Sequence, residues 1–467
     1  MPGRVLVVAY YFPPVAGIGV HRTVKFVTYL PRWGWEPVVL TARDPGVVHR
    51  DPASESALPP NLRVERAFSP EPIKLRRALG RAARRASSTR TREASGDMQI
   101  GPSMPNGTAG AAAEASPSGR VRDYGGLAGI WGGMERLFFF PDTEVGWVPF
   151  AVRRGLELQR ELPFDAVYSS AGPISCHLIA GLIARKTGLP WVADFRDPWI
   201  GNPFAAPLPG LHRELQARIE KRIVERADRL AFATPGLAEA YAARYPRAAD
   251  RCYAIPNGYD RNDFPPDPGP EARARDGRFR LTYGGSIYRE GDLVVFLDGL
   301  ELLFGRRPEL RDKLEVEFVG WLTLQNQALA ARYSTPERLG SVLRFSGYLP
   351  HREALSHLLA SDALMQLIAD GPNRSGFVGG KLAEYVGLDR QILAVVPEGD
   401  ARAVLRELDW GIAVDPTPQG VAEGVERLLV TPRPNRSADP EGRYDRVNLT
   451  RRLAELLDGA VAERKPG

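Results

Sequence analysis

The feature that most constrains this chain is a rhythm. Short continuous apolar runs end in glycine or proline, and each is followed by a stretch with helical spacing. The first instance is "VLVVAYYFPPVAGIGVHR", residues 5–22. A valine-rich run without polar alternation predicts a strand buried on both faces, as parallel sheets require. Pro13 and Pro14 break it. Residues 20–31 carry Val24, Val27 and Leu30 at helical spacing, and "PVVLTA" reads as a second strand. Strand, loop, helix and strand in so short a span form a βαβ unit.

The alternation resumes after Trp131. A helix is predicted over 148–161, then the strand "DAVYSS", the helix "ISCHLIAGLIARKTG" and the strand "PWVADF". A helix over 211–228, the strand "RLAFAT", the helix "GLAEAYAARYP" and the strand "CYAIP" follow. Residues 262–277, "NDFPPDPGPEARARDG", read as a linker. A second series then starts at "FRLTYGGS" and runs through "LEVEFVG", "VLRFSGYLP", "ALMQLIA", "QILAVVPEG" and "GIAVD", with helical stretches between. The expected fold is α/β, with two Rossmann-like doubly wound domains facing a cleft, the expected ligand site. The expected boundaries are 1–261 for the first domain and 278–435 for the second. Residues 436–467 are expected to return toward the first domain as a helix over about 446–462.

Within the first domain, residues 70–125 break the pattern. Ala, Ser, Gly, Pro and Arg dominate, and aromatics are nearly absent. Such a stretch cannot bury enough apolar surface to offset its chain entropy, so it reads as a disordered insertion. Its first part holds Lys74, Arg76, Arg77, Arg81, Arg84, Arg85, Arg90 and Arg92 without an acidic residue between them. That run is either a solvated arm or a weak membrane-surface helix.

The formal net charge is +6 over 467 residues. So mild an excess suits phosphate-bearing ligands or an anionic membrane surface better than dedicated nucleic-acid binding. Cys176 and Cys252 share no metal-ligand spacing, so no metal site and no disulfide framework is expected. No run reaches the roughly 18 apolar residues of a membrane span. The N-terminus lacks the apolar core of a signal peptide. The expected location is the cytoplasm, with any membrane contact peripheral and at the inner face.

Several stretches together resemble the retaining GT-B glycosyltransferases often called family 4 (group 1), which use nucleotide sugars. They are "YYFPPVAGIGVHR", "FPDTEVGW", "SSAGPISCHLIAGLIA", "LPWVADFRDPW", "ADRLAFATPGLAEAYAARYP", "IPNGYD", "YGGSIYREGD" and "GGKLAEYVGLDRQILAVVPEG". They occur in the family's order and cover most of the chain outside 43–130. The resemblance implies a hexosyltransferase acting in cell-surface polysaccharide or glycolipid synthesis. It would move a sugar from a nucleotide diphosphate sugar to a hydroxyl of a glycan or lipid-linked glycan.

Site residues follow from the glycine loops. Gly17 and Gly19 let the backbone approach a ligand, and the next helix offers free N–H groups to an anion. His21 is an acceptor-side candidate. Arg22 and Lys25 read either as added positive charge or as solvent-facing helix residues. In the second domain, Ser286 and Arg289 follow the pair Gly284 and Gly285, where an arginine could grip phosphate oxygens. Gly379 and Gly380 open the helix that carries Lys381 and Glu384. Lys381 is either a diphosphate contact or a surface lysine. Glu384 resembles the second glutamate of the family's E-x7-E motif, which takes the ribose hydroxyls, and two carboxylate oxygens suit a vicinal diol. The motif's first glutamate, associated with the transferred sugar, would fall at Gly376, where none is present.

"VADFRDPW" ends a strand with Asp194, Arg196 and Asp197. Arg196 and Asp197 are the catalytic candidates. Arg196 stands where many family members have a sugar-contacting histidine, and Asp197 either binds an acceptor hydroxyl or caps the next turn. His177 reads as an acceptor-side residue or as a packed core histidine. Asp-x-Asp is absent, so metal-independent transfer without a cofactor is expected, with leaving-group charge carried by Arg289, Lys381 and helix N-termini. Two rival readings remain, a non-catalytic sugar-nucleotide-binding scaffold and a nucleotide-sugar epimerase of the same fold.

Overall fold

The computed structural model describes residues 2–15, 18–46, 52–70, 140–202, 210–269, 277–371, 376, 378–431, 434 and 436–464. Gly17 and nearly all of the expected insertion lie outside the described residues, as does the centre of the expected linker. The chain divides into two compact units. The first comprises Met1–Phe232, Tyr241–Tyr253 and Leu453–Gly467, and the second Ala233–Ala240 and Ala254–Arg452.

Unit 1 is built on a seven-stranded parallel sheet. Its strands are β1 (Gly3–Val8), β2 (Trp35–Ala42), β3 (Arg63–Ala67), β4 (Ala166–Ser170), β5 (Trp191–Phe195), β6 (Arg229–Phe232) and β7 (Cys252–Ala254). The order is β3-β2-β1-β4-β5-β6-β7. Direction reverses between β1 and β4, the switch point of a doubly wound sheet. Its helices are α1 (Ile18–Tyr29), α2 (Pro52–Ser56), α3 (Val148–Glu161), α4 (Ser175–Thr187) and α5 (Gly210–Arg226), while α6 (Pro235–Arg244) is divided between the two units. Val5 to Val8 are at most 1% exposed, which explains the unalternating apolar run of the opening motif. β3, "RVERA", shows why an edge strand escapes such a reading. Its side chains are mostly half-buried and ionic, and Arg63 and Glu65 pair within it.

Unit 2 holds a six-stranded parallel sheet of order β10-β9-β8-β11-β12-β13. These are β8 (Phe279–Gly284), β9 (Leu314–Val319), β10 (Leu343–Gly347), β11 (Ala363–Leu367), β12 (Gln391–Val395) and β13 (Ile412–Val414). Direction reverses between β8 and β11. The helices are α7 (Glu290–Arg306), α8 (Leu324–Tyr333), α9 (His351–Leu359), α10 (Lys381–Gly387), α11 (Asp400–Leu408) and α12 (Pro418–Val430). The last helix, α13 (Arg446–Arg464), spans the boundary between the units in sequence.

Period-two alternation splits the strands of unit 2 between two cores. Ala363, Met365 and Leu367 join Phe296, Leu300 and Val421 on one face. Leu364 and Ile368 join Leu358, Leu382 and Tyr385 on the other. Gln366 stands between Leu364 and Ile368 in that second register. The expected linker is not free along its length, because the Asp267 carboxylate accepts from buried Arg390 at 2.7 Å.

Candidate functional site

Two sets of side chains gather at the carboxyl ends of the strands, one in each unit. In unit 2 the set surrounds the switch between β8 and β11. β8 ends at Gly284, and the chain turns through Gly285 with φ at +122°, a backbone that excludes most side chains. A Cβ at Gly285 would also collide with the Lys381 ammonium. The loop is clamped from several sides. Tyr385 accepts from the Gly284 N–H at 2.8 Å, and Asn326 Nδ2 donates to the Ile287 carbonyl at 2.8 Å. Asp292, in the first turn of α7, accepts from Ala369 N–H at 2.7 Å, which ties the end of β11 to the same helix.

Lys381 opens α10 and lies over this turn. Its Nζ donates to the Tyr283 hydroxyl at 3.0 Å and stands 4.3 Å from that ring's centroid. Burial lowers its pKa to about 8, against the pull of Tyr288, Glu384 and Asp292. A lysine so placed costs little to desolvate further and gains much from an anion. Glu384 follows one turn later, 31% exposed, with Oε1 2.9 Å from His351 Nε2. His351 escaped the sequence reading, since a lone histidine after Pro350 carries no motif.

The other candidates of this unit fall nearby. Ser286 and Arg289 are half-buried on the Gly285 loop, and the Ser286 carbonyl accepts from Tyr283 at 3.4 Å. Gly379 is buried, and a Cβ there would strike the Gln366 amide. Gly380 caps α10. That helix has only seven residues, so its dipole is small beside the Lys381 charge. Gly376 is exposed and brings no side chain.

In unit 1 the set surrounds the switch between β1 and β4. Arg22 is a correction to both readings made of it. It is neither solvent-facing nor open to a ligand, but 1% exposed and paired with Asp194. Nε donates to Asp194 Oδ2 at 2.9 Å and Nη2 to Oδ1 at 2.8 Å. Tyr168 donates to Oδ2 at 2.6 Å. Burial raises the Asp194 carboxyl, but Arg22 outweighs it and holds the pKa below the ordinary range.

Arg196 is spent on main-chain carbonyls. Nε donates to Ala171 at 2.7 Å and Nη1 donates to Gly19. Nη2 reaches Gly172, weakly, at 3.4 Å. A Cβ at Gly19 or Gly172 would enter the guanidinium, and Gly172 has φ at +94°. The glycine of the opening motif therefore makes room for an arginine of its own fold. Asp197, next in the chain, is exposed. His21 is exposed on α1, and Lys25 is half-buried.

His177 is fully enclosed. Its Nδ1 lies 2.8 Å from Ser169 Oγ, which also accepts from Trp191 Nε1 at 2.8 Å. The ring packs 4.5 Å from that of Phe195. Burial lowers its pKa to about 3, with Asp194 pulling the other way. This is the packed core histidine of the two readings, without access to an acceptor. Asp142, from "FPDTEVGW", accepts from Ser175 N–H at 2.8 Å and so caps α4.

The description of Glycosyltransferase Family 4 matches residues 116–263. The D-inositol 3-phosphate glycosyltransferase 1 of Catenulispora acidiphila is 25% identical over 264 residues, covering 54% of this chain and 62% of that protein. The sucrose-phosphate synthase of Thermosynechococcus elongatus superposes with a TM-score of 0.61 at 15% identity, covering 99% of this chain and all of that one. Anabaena HepE in complex with UDP and glucose superposes at 0.59 and 13% identity, covering 98% of this chain and all of that one. The chain has the GT-B fold of these neighbours, and its residues 116–263 carry the family 4 match. In this GT-B fold the first six strands of each sheet follow one order, β7 adding a seventh to unit 1, and polar residues gather around each switch point. In unit 2 these are a cation, a carboxylate and a glycine turn.

Proposed function

We propose that this GT-B protein transfers a hexose from a nucleoside diphosphate sugar to a hydroxyl of a glycan or lipid-linked glycan, with retention. One observation carries the reading. Lys381 covers the Gly285 turn while Glu384 stands one helical turn beyond it. Such spacing suits a diphosphate followed by its ribose. Lys381, with Arg289, would meet the phosphate oxygens, and Glu384 would accept from the ribose hydroxyls. In the transfer, the bond from anomeric carbon to diphosphate oxygen breaks. The acceptor oxygen bonds that carbon, and its proton is released. The electron pair leaves on the nucleoside diphosphate, where Lys381 and Arg289 balance the new charge without need of a cation. Exposed Asp197 would hold the acceptor hydroxyl. HepE, solved with UDP-glucose, makes UDP-sugars the first donors to try.

Peripheral contact with an anionic membrane belongs to the same proposal. No helix among the described residues is long and apolar enough to cross a membrane. Unit 1 instead exposes Phe68 and Phe150, stacked edge to face at 5.0 Å. A groove that starts at Val148 and Pro149 is lined by Val152, Leu156 and Leu182, with Arg153, Arg160 and Lys186 around it beside one acidic residue, Glu157, which pairs with Arg153.

The test is turnover of labelled UDP-glucose and GDP-mannose with polyprenyl-phosphate-linked glycan acceptors and EDTA present. Product with the donor's anomeric configuration supports the proposal. Binding without turnover favours a scaffold, and isomerised donor alone favours an epimerase.

A further inference from the structure

Gln366 is a polar residue in an apolar register. It lies near the carboxyl end of β11, one of the two strands at the switch point of unit 2, where doubly wound sheets receive ligands. Its neighbours on the same face, Leu364 and Ile368, are core residues. Gln366 is 4% exposed, and its Oε1 is buried without a hydrogen-bond partner. Buried amides are seldom left so, because an unmet carbonyl forfeits its hydration without return. A leucine would serve packing better here.

The surroundings show what the amide faces. Its nitrogen end abuts Gly379, where any Cβ would strike it. Gly379 lies two residues before Lys381 and five before Glu384. Taken along the chain, Glu384, Lys381 and Gly379 with Gln366 form a series, with a carboxylate at one end, a cation in the middle and a neutral amide at the other. A nucleoside diphosphate sugar has the same order of parts: a ribose diol, a diphosphate and a neutral polyol. The amide end matches the polyol, since a carboxamide can accept from one hydroxyl and donate to another. It can also turn end for end, bringing Oε1 to the side that Nε2 now occupies.

We propose that the Gln366 carboxamide reads the hexose of the donor by accepting a hydrogen bond from a sugar hydroxyl. The inference rests on the donor reading of this site given above. It adds a hexose-specific group that sequence spacing did not reveal, since Gln366 sits within a strand and not in a motif.

The test compares wild type with Gln366→Met, which keeps length and volume but not the amide. Calorimetric affinities are measured for UDP and UDP-glucose, and for GDP and GDP-mannose, beside thermal unfolding. The expected result is at least a tenfold loss of affinity for the sugar nucleotide the wild type prefers. Affinity for the matching free diphosphate should stay within twofold, and the unfolding midpoint should be unchanged or higher. Equal loss for both ligands, or no loss, overturns the inference while the donor reading survives. A wild type that binds neither sugar nucleotide overturns the donor reading, and the inference falls with it. Should Gln366→Met unfold, Gln366→Asn supplies the same comparison, because it keeps the amide but withdraws it from the sugar.

Discussion

Arg22 and Asp194 form a bidentate ion pair inside unit 1, at 2.9 and 2.8 Å, with neither side chain reaching solvent. The pair joins α1 to the end of β5. It fixes the first helix over the switch point of the sheet. Breaking such a pair leaves a buried charge without its counterion, which costs about 3–5 kcal/mol. Arg22→Met should therefore lower the urea midpoint sharply, and Asp194→Asn should do so to a similar degree. Arg22→Met with Asp194→Leu should recover part of the loss, since no charge is then stranded. Recovery should be incomplete, because Tyr168 loses the acceptor it holds at 2.6 Å. A double variant no more stable than either single one would contradict this.

The Arg196 clamp offers a test of why glycine occupies position 19. Gly19→Ala should push the guanidinium off the Gly19 carbonyl and destabilise by about 1–3 kcal/mol, the range for overpacking a fitted site. In an Arg196→Ala background the same substitution should cost much less, because the obstacle is gone. The two changes then couple, and thermal unfolding of the four proteins in the cycle measures the coupling. Additive effects would mean that Gly19 is needed for some other reason.

These two relationships mark where sequence reasoning ran out. The alternation of β1, α1 and β2 was legible because apolar periodicity is local. So were the two doubly wound series, since each strand announces itself by its own buried run. Arg22 was not legible. Its partner lies 172 residues away, and nothing in "GVHRTVK" distinguishes a buried arginine from a solvated one. Gly19 was legible as a close-approach glycine, but the sequence could not say whether a ligand or Arg196 makes the approach. His351 and Gln366 were missed because one is an isolated histidine and the other a strand residue. Only the fold brings them beside Glu384 and Gly379.

His177 predicts an acid sensitivity. Its folded pKa, near 3, lies below the roughly 6.5 of an unfolded histidine. Between these values the unfolded chain binds the extra proton, so stability falls as pH drops below about 6.5. His177→Gln cannot take that proton and should flatten this part of the curve, while leaving stability at pH 8 little changed. Urea midpoints from pH 4 to 8 for both proteins make the comparison. Parallel curves would remove His177 as a source of the acid response.

Lys381 predicts the opposite dependence, and in binding. With a pKa near 8 it is mostly charged at pH 7 and mostly neutral at pH 9. If it meets the donor diphosphate, affinity for UDP should weaken as pH rises through 8, by up to tenfold per unit. Lys381→Met should bind more weakly at pH 7 and lose most of that slope. Calorimetry from pH 6.5 to 9.5 reads both effects. A slope that survives in Lys381→Met would assign the titration to another group.

Glu384 and His351 give the last prediction. Their 2.9 Å contact gives the carboxylate a protein partner at Oε1, so a ribose hydroxyl would share the group with His351. Glu384→Gln keeps the shape but replaces one acceptor oxygen by a donor amide, so donor affinity should fall at least tenfold, about 1.4 kcal/mol. The neighbouring histidine complicates that result, since the change also disturbs His351. His351→Gln separates the two. If His351 only orients the carboxylate, its loss should weaken binding by a few fold and leave the preference for ribose intact. A 2′-deoxy donor should bind the wild type and His351→Gln less well than the ribose form does. It should bind Glu384→Gln no worse than the ribose form does, because the reading group is already gone. If Glu384→Gln still prefers the ribose donor by the full wild-type margin, the carboxylate serves only to hold His351 at the start of α9, and the ribose contact must lie elsewhere.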